Sequence, residues 1–144
     1  MLHSLVTGAS RGIGRAIAVA LSERGDRVAV HYGRDRDAAD ETLALLSGEG
    51  HLVIGGDLSD PVTAERVVSD VLETFGRIDV LVNNAAIAPN ASTSHPISTV
   101  DYATWHRIWE QMVDVDLRAP ANMTFLVARS LIERGLPGSI VNVG

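Results

Sequence analysis

"TGASRGIG" occupies residues 7–14 and puts three glycines into eight residues, with an arginine between them. Just before it, "HSLVTG" opens as a short apolar strand. Just after it, Ile13, Ala16, Ile17, Ala20 and Leu21 recur at helical spacing, and Gly25 supplies a stop. A bare turn between a strand and a helix has a physical use. Gly8 permits a tight turn, Gly12 lets a diphosphate approach the backbone, and Gly14 lets the helix pack close to the strand. The helix N-terminus adds free N–H groups and the positive end of its dipole. The competing reading is a plain tight turn. The position after a strand and before a helix, inside a strand–helix–strand unit, favours the phosphate reading.

Outward from this turn the same alternation repeats. "RVAVHY" (27–32) reads as a second strand and "DAADETLALLSG" as a second helix ending at Gly48. "HLVIGGD" (51–57) is a third strand. Asp60 caps a third helix with Pro61 at its first position. Ala64, Val67, Val68, Val71, Leu72 and Phe75 form its apolar stripe, and Gly76 ends it. "RIDVLVNNA" (77–85) is a fourth strand, and 87 to about 99 reads as loop. A long helical pattern runs from about Tyr102 to Arg134, with a bend expected at Pro120. "GSIVNVG" (138–144) is a fifth strand. Strands that are apolar on both faces, in strand–helix order, specify a doubly wound α/β parallel sheet. The expected strand order is 3-2-1-4-5, with ligands at the switch point beside the first strand. No linker or internal repeat divides the chain, so residues 1–144 read as one domain.

Composition narrows the function classes. A net charge of −6 argues against a general nucleic-acid binder. No apolar run approaches the ~20 residues that span a bilayer. "MLHSLV" lacks the basic and apolar regions of a signal peptide. The chain has no cysteine, which removes disulfides and thiolate chemistry and fits a reducing, cytoplasmic setting. The five histidines lie far apart without paired ligand spacing, so no metal site is expected. All twelve basic residues are arginine.

The arginines bear on which dinucleotide is bound. NAD-binding versions of this turn place a carboxylate about 20 residues on, for the ribose hydroxyls. The matching place holds Tyr32, then Gly33 and Arg34. With no carboxylate to repel it, a 2′-phosphate can be met by Arg11 and Arg34 through charge-assisted hydrogen bonds. This points to NADP(H). The alternative is two ordinary solvated arginines, and Asp35 and Asp37 lie close by.

These motifs together resemble the classical short-chain dehydrogenase/reductases, over the whole length of the chain. "TGASRGIG" matches that family's TGxxxGxG loop, "GDLSD" (56–60) its adenine-contacting segment, and "NNAA" (83–86) its NNAG, with Ala86 in place of glycine. The arginine inside the glycine loop is most similar to the 3-oxoacyl-acyl-carrier-protein reductase group, which uses NADPH. The resemblance implies a Rossmann fold and a cofactor site built from Thr7, Gly8, Ser10, Arg11, Gly12, Ile13, Gly14, Tyr32 and Arg34. It adds Asp57 and Leu58 at the adenine, and Asn83 and Ala85 at the sheet and cofactor. It also implies a small carbonyl or alcohol substrate and a homo-oligomer in the complete enzyme. A methyltransferase, which also uses a glycine loop after its first strand, is disfavoured by NNAA and by the arginine.

The sequence departs from the family in two places. Where the family has a catalytic Asn in a motif like VNLxG, this chain reads "VDLRA", which puts Asp116 at that position. On a regular helix Asp116 shares a face with Trp105, Trp109 and Met112. It is then either a partly buried carboxylate, which must find a partner or a proton, or an exposed Asp without a role. The chain also stops at Gly144, short of the family serine. With no lysine, it holds no Tyr-xxx-Lys pair. Two expectations result. One is the cofactor half of a reductase, and the other is a non-catalytic NADP(H)-binding domain acting as a sensor or partner subunit.

Overall fold

A computed structural model describes residues 1–87 and 90–144. Ala88 and Pro89, in the stretch expected as loop, lie outside the described residues. Five parallel strands form one sheet: β1 (His3–Val6), β2 (Arg27–Tyr32), β3 (Leu52–Gly55), β4 (Val80–Asn83) and β5 (Ser139–Asn142). Their order is β3-β2-β1-β4-β5, as the alternating pattern requires. Leu5 stands beside Ala29 on one side and Leu81 on the other.

Alternation along the strands divides the core in two. Leu5, Ala29, Ile54 and Leu81 face α3 (Pro61–Phe75) and α5 (Ala119–Arg134), meeting Val67, Val71, Met123 and Val127. Val6, Val28, Val30, Val80 and Val82 face the other way, toward Ala18 of α1 (Gly12–Glu23) and Ala39 of α2 (Arg36–Leu45). Each central strand is therefore apolar on both faces, because helices cover both. Among the described residues no helix is long and apolar enough to cross a membrane.

Several element ends differ from expectation. β4 is confined to Val80–Asn83, and Asn84 and Ala85 lie beyond it. α2 ends at Leu45, where Leu46 turns to extended backbone, and Gly48 (φ 92°) serves the following turn instead. The long helix is not continuous. α4 (Tyr102–Val113) passes into a π-helical turn at Asp114–Arg118 and then into α5. Pro120 lies in α5's first turn, and the disruption falls just before it. The proline has no N–H for the Asp116 carbonyl, and its ring crowds that carbonyl. The backbone widens instead, and the Ala119 N–H bonds the Asp114 carbonyl, five residues back rather than four.

Candidate cofactor site

The turn from Thr7 to Arg11 is fixed from three sides. The buried Thr7 hydroxyl accepts the N–H groups of Asn84 (2.9 Å) and Ala85 (3.0 Å) and donates to the Val82 carbonyl (3.3 Å). From β2, the His31 carbonyl accepts the Ala9 N–H at 2.8 Å. From α1, Arg15 donates to the carbonyls of Ser10 (2.7 Å) and Ala38 (3.0 Å) and to the Thr42 hydroxyl (2.9 Å). Sequence reading missed Arg15, whose helical position gave no sign that it reaches back over the turn.

The glycines divide their tasks. Gly8 has φ 61°, and a Cβ there would stand 2.8 Å from the Ala85 Cα. A Cβ on Gly14 would stand 2.2 Å from the Gly8 carbonyl oxygen. Gly12 also has positive φ, yet a Cβ there would meet nothing within 4 Å. The first two positions are closed by the protein itself, and the third opens outward.

Helix capping separates α1 from its neighbours. α2, α3 and α4 each start behind an Asp whose carboxylate accepts an N–H of the first turn: Asp35 from Ala38, Asp60 from Thr63, Asp101 from Thr104. Those bonds hold all three carboxyls below their ordinary range; at Asp60 the hydroxyl of Thr63 acts first. α1 instead starts behind Arg11 with no side-chain cap. Its first-turn N–H groups lack the anion that the other three have, and the residue at the cap is a cation. A diphosphate would supply that charge. The residues present therefore fit a dinucleotide.

The two arginines stand differently. Arg11 Nη2 is 2.5 Å from Asp35 Oδ2, an exposed pair. Arg34 is exposed and has no ion-pair or hydrogen-bond partner among the described residues. Tyr32 lies over Gly55, where a Cβ would stand 2.3 Å from its ring. Asp57 is exposed, and its Oδ1 accepts the Ser59 N–H (3.0 Å) and hydroxyl (2.7 Å). Leu58 is buried, and its carbonyl accepts from Asn122 of α5 at 3.2 Å.

Beyond the C-terminal ends of β1 and β4 opens a cleft of about 820 Å³, lined by Thr7, Leu58, Asn83, Ala85, Asp116 and Asn142 among others. The exposed Ile13, together with Gly12, Tyr32 and Arg34, stands outside its walls. Asn83 is 6% exposed. Its Nδ2 donates to Asn142 Oδ1 (2.8 Å) and Thr124 Oγ1 (3.1 Å), joining β4, β5 and α5, while its own Oδ1 is buried without a partner among the described residues. Asp116 is not on the tryptophan face. The extra residue in the π-helical turn shifts the helical phase beyond Asp114, and Arg118, paired with Asp114, borders Trp105 and Trp109 instead. Asp116 points into the cleft, exposed, and its Oδ1 accepts the Ile87 N–H at 3.0 Å.

Comparison with known proteins agrees with this geometry. The short chain dehydrogenase family model matches residues 3–144. L-rhamnose 1-dehydrogenase (NAD(P)(+)) from Sphingomonas sp. is 36% identical over 142 residues, 96% of this chain and 52% of that protein. A 3-oxoacyl-acyl-carrier-protein reductase from Staphylococcus epidermidis is 31% identical, over 97% of this chain and 54% of its own. The crystal structure of a putative short-chain alcohol dehydrogenase from Sinorhizobium meliloti 1021 superposes with a TM-score of 0.80 at 34% identity, over 98% of this chain and 53% of its own. The chain thus spans about half the length of the relatives it matches. It belongs to the short-chain dehydrogenase family.

Proposed function

We propose that this chain binds NADP(H) and serves hydride transfer between the cofactor and a small carbonyl or alcohol substrate. The observation that carries the reading is the uncapped, cation-led N-terminus of α1 above an open Gly12, where α2, α3 and α4 carry their own carboxylate. The nicotinamide supplies or accepts the hydride; the residues of this chain hold and orient it. Thr7 locks the glycine turn to the loop after β4. Arg34, with no internal partner among the described residues, meets the 2′-phosphate. Arg11 joins it by exchanging the exposed Asp35 carboxylate for the phosphate, while Asp35 keeps its bond to the Ala38 N–H. Asp57 and Leu58 border the adenine, and Asn83 and Ala85 the nicotinamide side of the cleft.

Titration of the chain with NADPH and NADH, followed by nicotinamide fluorescence, tests the reading. NADPH binds more tightly, and Arg34→Ala loses about 1.5–3 kcal/mol for NADPH, the range for hydrogen bonds to charged groups, with little change for NADH. Tighter NADH binding, or an Arg34→Ala variant with unchanged NADPH affinity, refutes it.

Hydride transfer to a ketone leaves an alkoxide that needs a proton, and no Tyr-xxx-Lys pair stands in these 144 residues to give it. The 144-residue chain is expected to bind NADPH without oxidising it in the presence of acetoacetyl thioesters or simple ketones. Turnover of order 1 s⁻¹, within the ordinary enzyme range, would place the catalytic acid among residues assigned here to structure.

A further inference from the structure

His31 lies in β2 and is 2% exposed. Its Nε2 stands 2.9 Å from the Gly56 carbonyl oxygen, and its Nδ1 stands 3.2 Å from the Gly8 nitrogen. A carbonyl only accepts, so Nε2 carries the proton and donates to Gly56. Nδ1 is then the bare nitrogen that accepts the Gly8 N–H. One neutral ring thus bridges the glycine turn and the turn after β3 that leads to Asp57 and Leu58.

We propose that His31 is a positioning residue for the dinucleotide, whose neutral ring sets the spacing between the diphosphate-binding turn at Gly8 and the adenine-side turn at Gly56. The inference rests on the cofactor reading above. Both residues held by the ring are glycines, with no side chain to anchor them. Both are confined: a Cβ on Gly8 would lie 2.8 Å from the Ala85 Cα, and one on Gly56 would lie 2.4 Å from Thr63 Cγ2. Their backbones also bond to β2 directly, Ala9 N–H to the His31 carbonyl (2.8 Å) and Gly56 N–H to the Tyr32 carbonyl (3.0 Å). The imidazole is the one side chain among the described hydrogen bonds that joins the two turns.

The ring's charge state suits the task. Burial lowers its pKa to about 4, against the Gly56 carbonyl, which favours the protonated form. Arg66 of α3, which donates to the Gly55 carbonyl at 2.7 Å, adds to the effect of burial, and Asp57 opposes it. A second ring proton would remove the acceptor for Gly8 and set two donors against each other.

The test uses the 144-residue chain, its His31→Leu, His31→Asn and His31→Gln variants, and ¹⁵N-labelled histidine. The ring spectrum is expected to show Nε2–H with bare Nδ1, unchanged from pH 7.5 to 5.5. Affinity is measured well below each melting transition, so that stability does not enter. His31→Leu removes both ring hydrogen bonds and is expected to bind NADPH and NADH alike about tenfold more weakly. His31→Asn keeps an acceptor where Nδ1 was and recovers most of that loss. His31→Gln reaches only toward Gly56 and recovers less. If His31→Leu does not fold, the order of Asn over Gln still decides. An Nδ1–H tautomer, wild-type affinity in His31→Leu, or Gln binding as well as Asn overturns the inference. If the wild-type chain binds neither nucleotide, the cofactor reading itself fails, which the variants' equal affinities would not show.

Discussion

Replacing Gly14 with alanine tests the closeness on which the glycine turn depends. Gly14 lies in the first turn of α1, and an added Cβ would stand 2.2 Å from the Gly8 carbonyl oxygen and 2.5 Å from Asn84 Nδ2. Non-bonded carbon contacts settle near ~3.5 Å, so the turn or the helix must yield by about 1 Å. The Gly8 peptide has little freedom to do so. Its N–H is held by His31, its carbonyl accepts from Asn84 at 3.1 Å, and its Cα faces the Ala85 backbone. Alanine gains about 1 kcal/mol of helix propensity over glycine. Against this stand an overpacking cost of about 1–3 kcal/mol and the Asn84 bond, worth about 1 kcal/mol. The expected net loss is about 2 kcal/mol, a fall of roughly 6 °C in Tm for a chain of this size. Gly33→Ala is the matched control. A Cβ there meets nothing within 4 Å, so that variant should be unchanged or up to about 1 kcal/mol more stable. Thermal unfolding followed by circular dichroism reads both. A Gly14→Ala variant that melts at or above wild type, or the same shift in both variants, refutes the reasoning.

Stability also depends on His31. Its pKa is near 6.5 unfolded and about 4 folded, so the unfolded chain binds more protons between those values. The contribution is complete above about pH 6.5, amounts to roughly 3 kcal/mol, and is lost as pH falls toward 4; urea midpoints at pH 7 and 5 measure it, corrected by a His31→Asn reference. Asp116→Ala removes the acceptor for the Ile87 N–H whereas Asp116→Asn keeps one, so amide exchange at Ile87 should quicken in the first variant only. Trp109, Leu117, Phe125 and Ile132 are exposed along α4, the π-helical turn and α5, and Val141 and Val143 at the edge strand. The isolated chain should therefore self-associate at tens of micromolar; a clean monomer by sedimentation with a cooperative melt would contradict this.

Much of the fold was legible because two short-range signals agree. The strands declare themselves by short apolar stretches, and β2 spans Arg27–Tyr32, the stretch read as the second strand. The helices declare themselves by caps: Asp60 with Pro61 opens α3, and Gly76 at φ 80° closes it. The strand order comes from connections that must be right-handed and short. The glycine turn was legible for the same reason, since its neighbours in space are its neighbours in sequence. Contacts across the sheet were not. Nothing local to Arg15 announces that its guanidinium crosses to Ala38 and Thr42. Nothing local to His31 announces Gly8 and Gly56, which lie 23 and 25 residues away. Arg11 was legible as a cation in the turn but not as the partner of Asp35, because that pairing depends on where α2 begins.

Asp116 shows a different kind of failure, one of phase rather than of distance. Counting from Trp105 at 3.6 residues per turn places 109, 112 and 116 on one face, and the count is sound until the helix changes its repeat. The cause was visible in the sequence, since Pro120 withholds a donor from the Asp116 carbonyl. A proline can be accommodated by a bend or by a widened turn, and the two have opposite consequences upstream. A bend preserves the helical phase and would have left Asp116 beside the tryptophans. The widened turn at Asp114–Arg118 inserts a residue and turns Asp116 toward the cleft, onto the N–H of Ile87. Asp114 precedes the widened turn, its N–H still bonded to the Glu110 carbonyl, so it keeps the regular α4 repeat and borders the tryptophans, where Arg118 pairs with it at 2.5 Å. One missing backbone donor at Pro120 thus decides whether Asp116 faces the tryptophans or the candidate site, while Asp114, one turn earlier, keeps its place.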